Sequence, residues 1–325
     1  MKCVLKCVCL CLIIFFPLKT QAELTGKVIF RYPGKGNELW VSDVNDISNA
    51  RLLFRFEEYI IQYLSVQKDG PFIAVVAIDV PAKSVYDEVF LVNTNRLDAG
   101  ARNLTDEQFQ KISDVAISQN GDILFTNAAR TDDKHGLYLI PKSEMYKPSP
   151  KITHLKTVDV HNAVWLPSGD QLAYAGTFGD VFLINIATRE EFRVSRGGKY
   201  PAISPDGKKI AIAYKGQDFT KEIRVISLET LRPLKIIKDF VPHTTFGDLK
   251  WSPDGKYLVY TVFGSCLFKK CNTYHNIAIP LDGGPPERIL DMFEHGVKMF
   301  DWVSTEGYAV EPTNRLTTLW GKLKK

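Results

Sequence analysis

Hydrophobic positions along the chain fall in short runs, and each run is rich in β-branched or aromatic residues. Ile210-Ala211-Ile212 and Leu258-Val259-Tyr260 are examples. Such runs, bounded by turn signals, predict strands. Their spacing is regular. Trp251-Ser252-Pro253-Asp254-Gly255-Lys256-Tyr257-Leu258 repeats the form of Ile203-Ser204-Pro205-Asp206-Gly207-Lys208-Lys209-Ile210, and Trp165-Leu166-Pro167-Ser168-Gly169-Asp170-Gln171-Leu172 has the same shape. Weaker copies run from Ile117 to Phe125 and from Val66 to Ile73, and a degenerate sixth spans Val310 to Leu316.

The turn residues fall at 70, 121, 169, 207, 255 and 314, in steps of 51, 48, 38, 48 and 59. Periods of this size mark four-stranded propeller blades. The residue types suit tight turns: Pro presets φ, Asp bonds its local backbone and Gly accepts positive φ. Four positions before each turn residue stands an apolar side chain (Val66, Ile117, Trp165, Ile203, Trp251 and Val310), expected to pack between blades.

Each repeat supplies a third strand, at Leu39-Val41, Val89-Val92, Leu137-Ile140, Val181-Ile184, Ile223-Ile226 and Ile277-Ile279. A more polar fourth strand follows each, as a solvated edge requires. Six third strands begin near the N-terminus, whereas the sixth first strand falls near Tyr308 to Glu311. The ring therefore closes by pairing the two ends of the chain. Lys27 to Tyr32 and Arg315 to Trp320 both suit the second strand of the closing blade. The expectation is an all-β, six-bladed β-propeller occupying residues 23–325 as a single domain.

The Ser-Pro-Asp-Gly-Lys cores at 204–208 and 252–256 resemble the repeat of TolB-like propellers, a bacterial, WD-repeat-like family. Arg102-Asn103-Leu104-Thr105 is similar to the fourth-strand ending of that repeat. The resemblance covers most of the chain and implies the fold and an exported location. Four repeats depart from the core, and no stretch matches the N-terminal α/β domain that TolB carries. TolB's own role in its envelope complex is therefore not carried over.

The N-terminus adds an export signal. Met1-Lys2-Cys3-Val4-Leu5-Lys6 is basic, Cys7 to Pro17 is apolar, and Thr20-Gln21-Ala22 offers small residues at a cleavage point. Residues 1–22 read as a secretory signal peptide, with a periplasmic or secreted product. The apolar run is shorter than the roughly 20 residues of a spanning helix, and no later stretch qualifies. Removing Lys2, Lys6 and Lys19 lowers the net charge from +4 to +1, which leaves no electrostatic footprint for nucleic acid. Of six cysteines, only Cys266 and Cys271 lie outside the signal. In an oxidising compartment they predict a disulfide closing a small loop.

Several enzyme signatures are absent. Gly264-Ser265-Cys266 lacks the spacing of a nucleophile elbow. The six histidines are scattered, and the closest pair, His154 and His161, matches no ligand pattern. Asp132-Asp133 lacks the alternation of a calcium loop, and Lys134 opposes one. Asn103-Leu104-Thr105 is a formal glycosylation sequon, relevant only to a eukaryotic secretory pathway. Asp133, Asp180 and Asp301 are the acids that blades could bring together as a glycosidase-like pair, but nothing in the sequence selects them. No catalytic residue, metal or cofactor is assigned.

The loop from Cys266 to His275 carries Phe268, Lys269, Lys270 and Tyr274. A pinned loop with aromatic and basic groups loses less entropy on binding, so these four are the candidate recognition residues. The functional reading is a monomeric protein- or peptide-binding scaffold. The alternative is a lyase or hydrolase acting on a saccharide or small metabolite in the central funnel.

Overall fold

A computed structural model describes residues 24–79, 86–129, 134–156, 160–176, 178–215, 221–238, 245–265, 272–290 and 297–304. Their strands form six four-stranded antiparallel sheets. Each sheet is one blade of a propeller, numbered 1 to 6 here from the N-terminus.

Blades 2 to 6 are simple meanders. Their inner strands are Tyr59–Val66, Ile112–Ile117, His161–Trp165, Lys199–Ile203 and Thr245–Trp251. Blade 1 is composite: its inner strand is Lys298–Val303, followed outward by Lys27–Arg31, Glu38–Asp43 and Asp46–Arg55. The chain ends do close the ring, as expected. The closing strand, however, is Lys298–Val303 rather than a segment near Tyr308 to Glu311, and Lys27–Arg31 supplies the second strand. The alternatives at 308–311 and 315–320 lie outside the described residues.

The Pro-Asp-Gly turns form as their chemistry predicts. Asp206 and Asp254 accept the N–H groups of Lys208 and Lys256 at 3.0 Å. The hydroxyls of Ser204 and Ser252 accept those of Lys209 and Tyr257 at 2.9 Å. Gly207 and Gly255 have φ near +70°, which only glycine adopts cheaply. These turns also touch in sequence around the ring. Pro167 of blade 4 lies against Gly207 of blade 5, and Pro205 against Gly255 of blade 6.

The apolar residue before the turn packs as expected in the five repeats where it is described; Val310 lies outside the described residues. Val66, Ile117, Trp165 and Trp251 are buried and Ile203 is half-buried. The two tryptophans also bond back to the preceding blade. Trp165 Nε1–H donates to Ala116 O at 3.1 Å and Trp251 Nε1–H to Ala202 O at 3.0 Å. Apolar clusters lie between successive sheets; one joins Leu124 and Leu137 of blade 3 to Leu172 and Tyr174 of blade 4. Burial of such faces is the main stabilising term.

Candidate functional site

Inner strands from all six blades surround a central channel. It holds a cavity of about 290 Å³ that opens among the Pro-Asp-Gly turns. One local device sets its lining. Every inner strand breaks register with its neighbour once, at 299–301, 61–63, 112–114, 161–164, 199–202 and 246–249 in blades 1 to 6. A bulge re-aims side chains and frees backbone groups from the ladder. Positive φ at Asn162 and Tyr200 belongs to two of these bulges.

The freed groups tie neighbouring blades together. Asp301 of blade 1 accepts the N–H of Val66 in blade 2 at 3.1 Å. Ser65 of blade 2 accepts that of Ile117 in blade 3 at 3.2 Å. Asp114 of blade 3 accepts that of Ala163 in blade 4 at 2.8 Å. Two of the channel carboxylates thus have a structural duty.

Asp248 and Lys250, both on the inner strand of blade 6, complete the polar lining. Asp114 still shows some surface to the channel, but the inner strands surround it. Burial pushes its pKa up to about 7, and the Asp248 charge adds to the rise. Lys250 and the N–H groups of Val115 and Ala163 only partly offset this. Burial alone would depress Lys250; Asp301, Asp248 and Asp114 outweigh it and hold the ammonium above the ordinary lysine range. At the far end of the inner strands, burial lowers Lys298 to about 8, against the pull of Asp248. Its ammonium donates to Gln62 O at 2.8 Å.

The cavity walls are mixed. Trp165, Trp251 and Pro167 supply apolar surface between the charged groups. Lys68 reaches across the mouth from blade 2 to the opposite blade 5, where its ammonium donates to Pro205 O at 3.3 Å.

Comparison with known proteins bears on the fold alone. TolB from Acinetobacter baumannii superposes with a TM-score of 0.64 at 16% identity, covering 84% of this chain. A chain assigned as TolB from Agrobacterium tumefaciens gives 0.57 at 16% identity, with 85% of this chain and 91% of that one covered. The fold is that of a TolB-like six-bladed β-propeller. The TolB-like propeller described here spans 65% of the length of the Acinetobacter chain. A structure of a nidogen–laminin complex also superposes on it, with a TM-score of 0.61 at 9% identity over 86% of this chain and 97% of that one. No family profile matches the sequence, and no curated protein matches it.

Within this TolB-like propeller the sequence-predicted residues scatter. Asp301 lies in the channel, as one of the three suspected acids. Asp180 does not: it pairs with Arg193 at 3.1 Å and accepts the N–H of Gly197 at 3.1 Å, both within blade 4. Asp133 lies outside the described residues. Among the described residues no three His, Cys, Asp or Glu side chains come together as a metal site. His154 packs against the Tyr138 ring, 4.9 Å between centroids.

Cys266, Phe268, Lys269, Lys270 and Cys271 also lie outside the described residues. Tyr274 is placed on a strand rather than in the loop. It pairs with Phe263 in a hairpin whose strands, Tyr257–Ser265 and Asn272–Pro280, are nine residues each. Its strands run from beside the Pro253-Asp254-Gly255 turn, where Tyr257 pairs with Pro280, to the other end of the blade, where Ser265 pairs with Asn272.

Asp114 and Asp248 were missed in the sequence although a signal was present. Each stands three positions before the apolar residue of its repeat, Ile117 or Trp251.

Proposed function

We propose that this chain is an exported binding scaffold whose partner is a protein or peptide, held at the turn-side mouth of the channel. The observation that carries this is the mixed cavity of about 290 Å³, with apolar Trp and Pro walls around a few charged groups. Pockets of that kind orient a ligand by few polar contacts and gain affinity from apolar burial. A second contact made by Phe268, Lys269 and Lys270, in a segment closed by a disulfide, belongs to this reading. Export through residues 1–22 and a disulfide between Cys266 and Cys271 belong to the same reading. The nidogen–laminin structure supports it by analogy, as a similar fold seen in a protein complex.

One observation favours the enzyme reading, a lyase or hydrolase acting on a saccharide or small metabolite. Asp114, at about 7, faces a second carboxylate, Asp248, and perturbed acids in a cleft mark catalytic sites. Against it, the carboxylates of Asp114 and Asp301 are both committed to backbone N–H groups of the next blade.

Photo-crosslinking in the native envelope tests the scaffold reading. A photo-reactive residue at Phe268, and another at Lys68, is expected to capture a specific protein from at least one position. Capture at neither position overturns the reading and leaves the small-molecule enzyme.

A further inference from the structure

Arg31 and Lys298 stand directly opposite each other on neighbouring strands of blade 1. Their side chains run to the same place on blade 2. Arg31 Nη1–H donates to Ile61 O at 2.6 Å, and the Lys298 ammonium donates to Gln62 O at 2.8 Å. Both carbonyls lie where the ladder of blade 2 breaks, between Ile61 and Tyr63. Like charges paired across strands repel, and neither cation forms an ion pair among the described residues. Tyr274 acts on Arg31, and Asp248 acts on Lys298 without touching it. Most of the donors on both groups are unused among the described residues. Lys298 is also half-buried against aromatic surface. Its nitrogen lies 5.1 Å from the centre of the Tyr63 ring and 4.9 Å from that of Phe300. Loss of water and a neighbouring cation both turn a lysine into a nucleophile. Both operate here, and together they lower Lys298 to about 8.

We propose that Lys298 is a modification site that takes up carbon dioxide as a carbamate, held by the Arg31 guanidinium. The neutral amine gives its lone pair to the carbon of carbon dioxide. A C–N bond forms, one C–O π pair moves onto oxygen, and one amine proton leaves to water. Nothing is oxidised or reduced. The product keeps one N–H, which serves the Gln62 carbonyl. It gains a carboxylate for the unused Arg31 donors, a pairing that Arg makes in bidentate form. A repelling pair of cations thereby becomes an ion pair. Carbon dioxide suits the place by size, because it adds only one carbon and its two oxygens to a side chain that is half-buried but not sealed. Asp248 and the two ring faces favour the ammonium and set the limit on uptake. Charge at this end of the inner strands then follows dissolved carbon dioxide.

The proposal does not depend on what the turn-side mouth holds. The purified protein in carbon-13-labelled bicarbonate at pH 8 tests it. Carbamates are observed by NMR, trapped as ethyl esters with triethyloxonium and located by peptide mapping. The ester at Lys298 is expected to exceed that at the exposed Lys208 and Lys256 at least ten-fold. Lys298→Met is expected to lose its NMR signal and to keep that of the α-amino group, which also forms a carbamate. Arg31→Gln is expected to lower uptake at Lys298 at least five-fold, with part of it retained in Arg31→Lys. Asp248→Asn is expected to raise uptake, because the charge that favours the ammonium is gone. Generic damage to the fold would lower uptake in both Arg31→Gln and Asp248→Asn. Equal labelling of Lys298 and the exposed lysines, unchanged uptake in Arg31→Gln, or bicarbonate bound without a C–N bond overturns the proposal.

Discussion

The Asp301 carboxylate accepts the backbone N–H of Val66 at 3.1 Å, although the two residues are 235 positions apart in sequence. Asp301 belongs to the last described strand and Val66 to the first complete blade. The bond therefore joins blade 1 to blade 2 at the place where the chain ends close the ring. Truncation to Ala strands the buried N–H of Val66, which costs about 1–3 kcal/mol. Urea unfolding of Asp301→Ala is expected to show that loss. A midpoint equal to that of the parent protein would show that the bond contributes nothing to closure.

A second prediction concerns the same seam. Gly26 has φ near +108°, and a Cβ there would lie 2.4 Å from the Val303 carbonyl on the closing strand. Gly26→Ala thus combines backbone strain of about 1–2 kcal/mol with a backbone clash that pushes the end strands apart. Gly34 also has positive φ, but a Cβ there meets nothing within 4 Å. Gly34→Ala is expected to show the strain alone, so thermal unfolding should order the proteins parent, Gly34→Ala, Gly26→Ala.

Most of the architecture was legible in the sequence because a propeller writes its period into its turns. Ser204 to Lys208 and Ser252 to Lys256 show both the turn chemistry and the spacing, and Trp165 and Trp251 mark the inner strands. The closing strand was harder to place. Lys298–Val303 has no Pro-Asp-Gly after it, and the degenerate copy at Val310 to Leu316 drew attention away. Gly307, which stands 52 positions after Gly255, was the better signal. For the channel acids, the shared position of Asp114 and Asp248 in their repeats was legible, but their meeting was not. Asp114, Asp248 and Asp301 come from three repeats and meet only through ring closure, and their aim depends on bulges that no local pattern announces.

Stability should vary with pH through two channel groups. Asp114 has a folded pKa of about 7, raised from 3.8. The folded state holds its proton more tightly, so stability falls as pH rises from about 4 to 7 and levels above. One group contributes a slope of at most about 1.4 kcal/mol per pH unit. Asp248 and Lys250 from blade 6 face Asp114 and act on this titration. Lys298 is lowered from 10.5 to about 8. Its cost is present below pH 8 and is relieved between 8 and 10.5, so stability rises there. Urea midpoints across pH are expected to lose the first trend in Asp114→Asn and the second in Lys298→Met. Unchanged profiles in both variants would contradict the assignment.

The export reading has a chemical readout. Mature protein from the envelope is expected to begin at Glu23 and to take up no alkylating reagent until reduced, after which Cys266 and Cys271 each gain one adduct. Intact mass and N-terminal sequencing check both points. Two reactive thiols before reduction would remove the disulfide, and a retained Met1 would remove signal cleavage.

The central claim is that the turn-side mouth is where a partner is held. The most direct measurement places a photo-reactive residue at Lys68, on the mouth, and separately at Leu234, an exposed position on the outer edge of blade 5. Crosslinking in the native envelope, followed by mass spectrometry, compares the two. The account predicts one dominant protein adduct from Lys68 that is absent from Leu234. Equal capture from both positions, or capture from Leu234 alone, would contradict it.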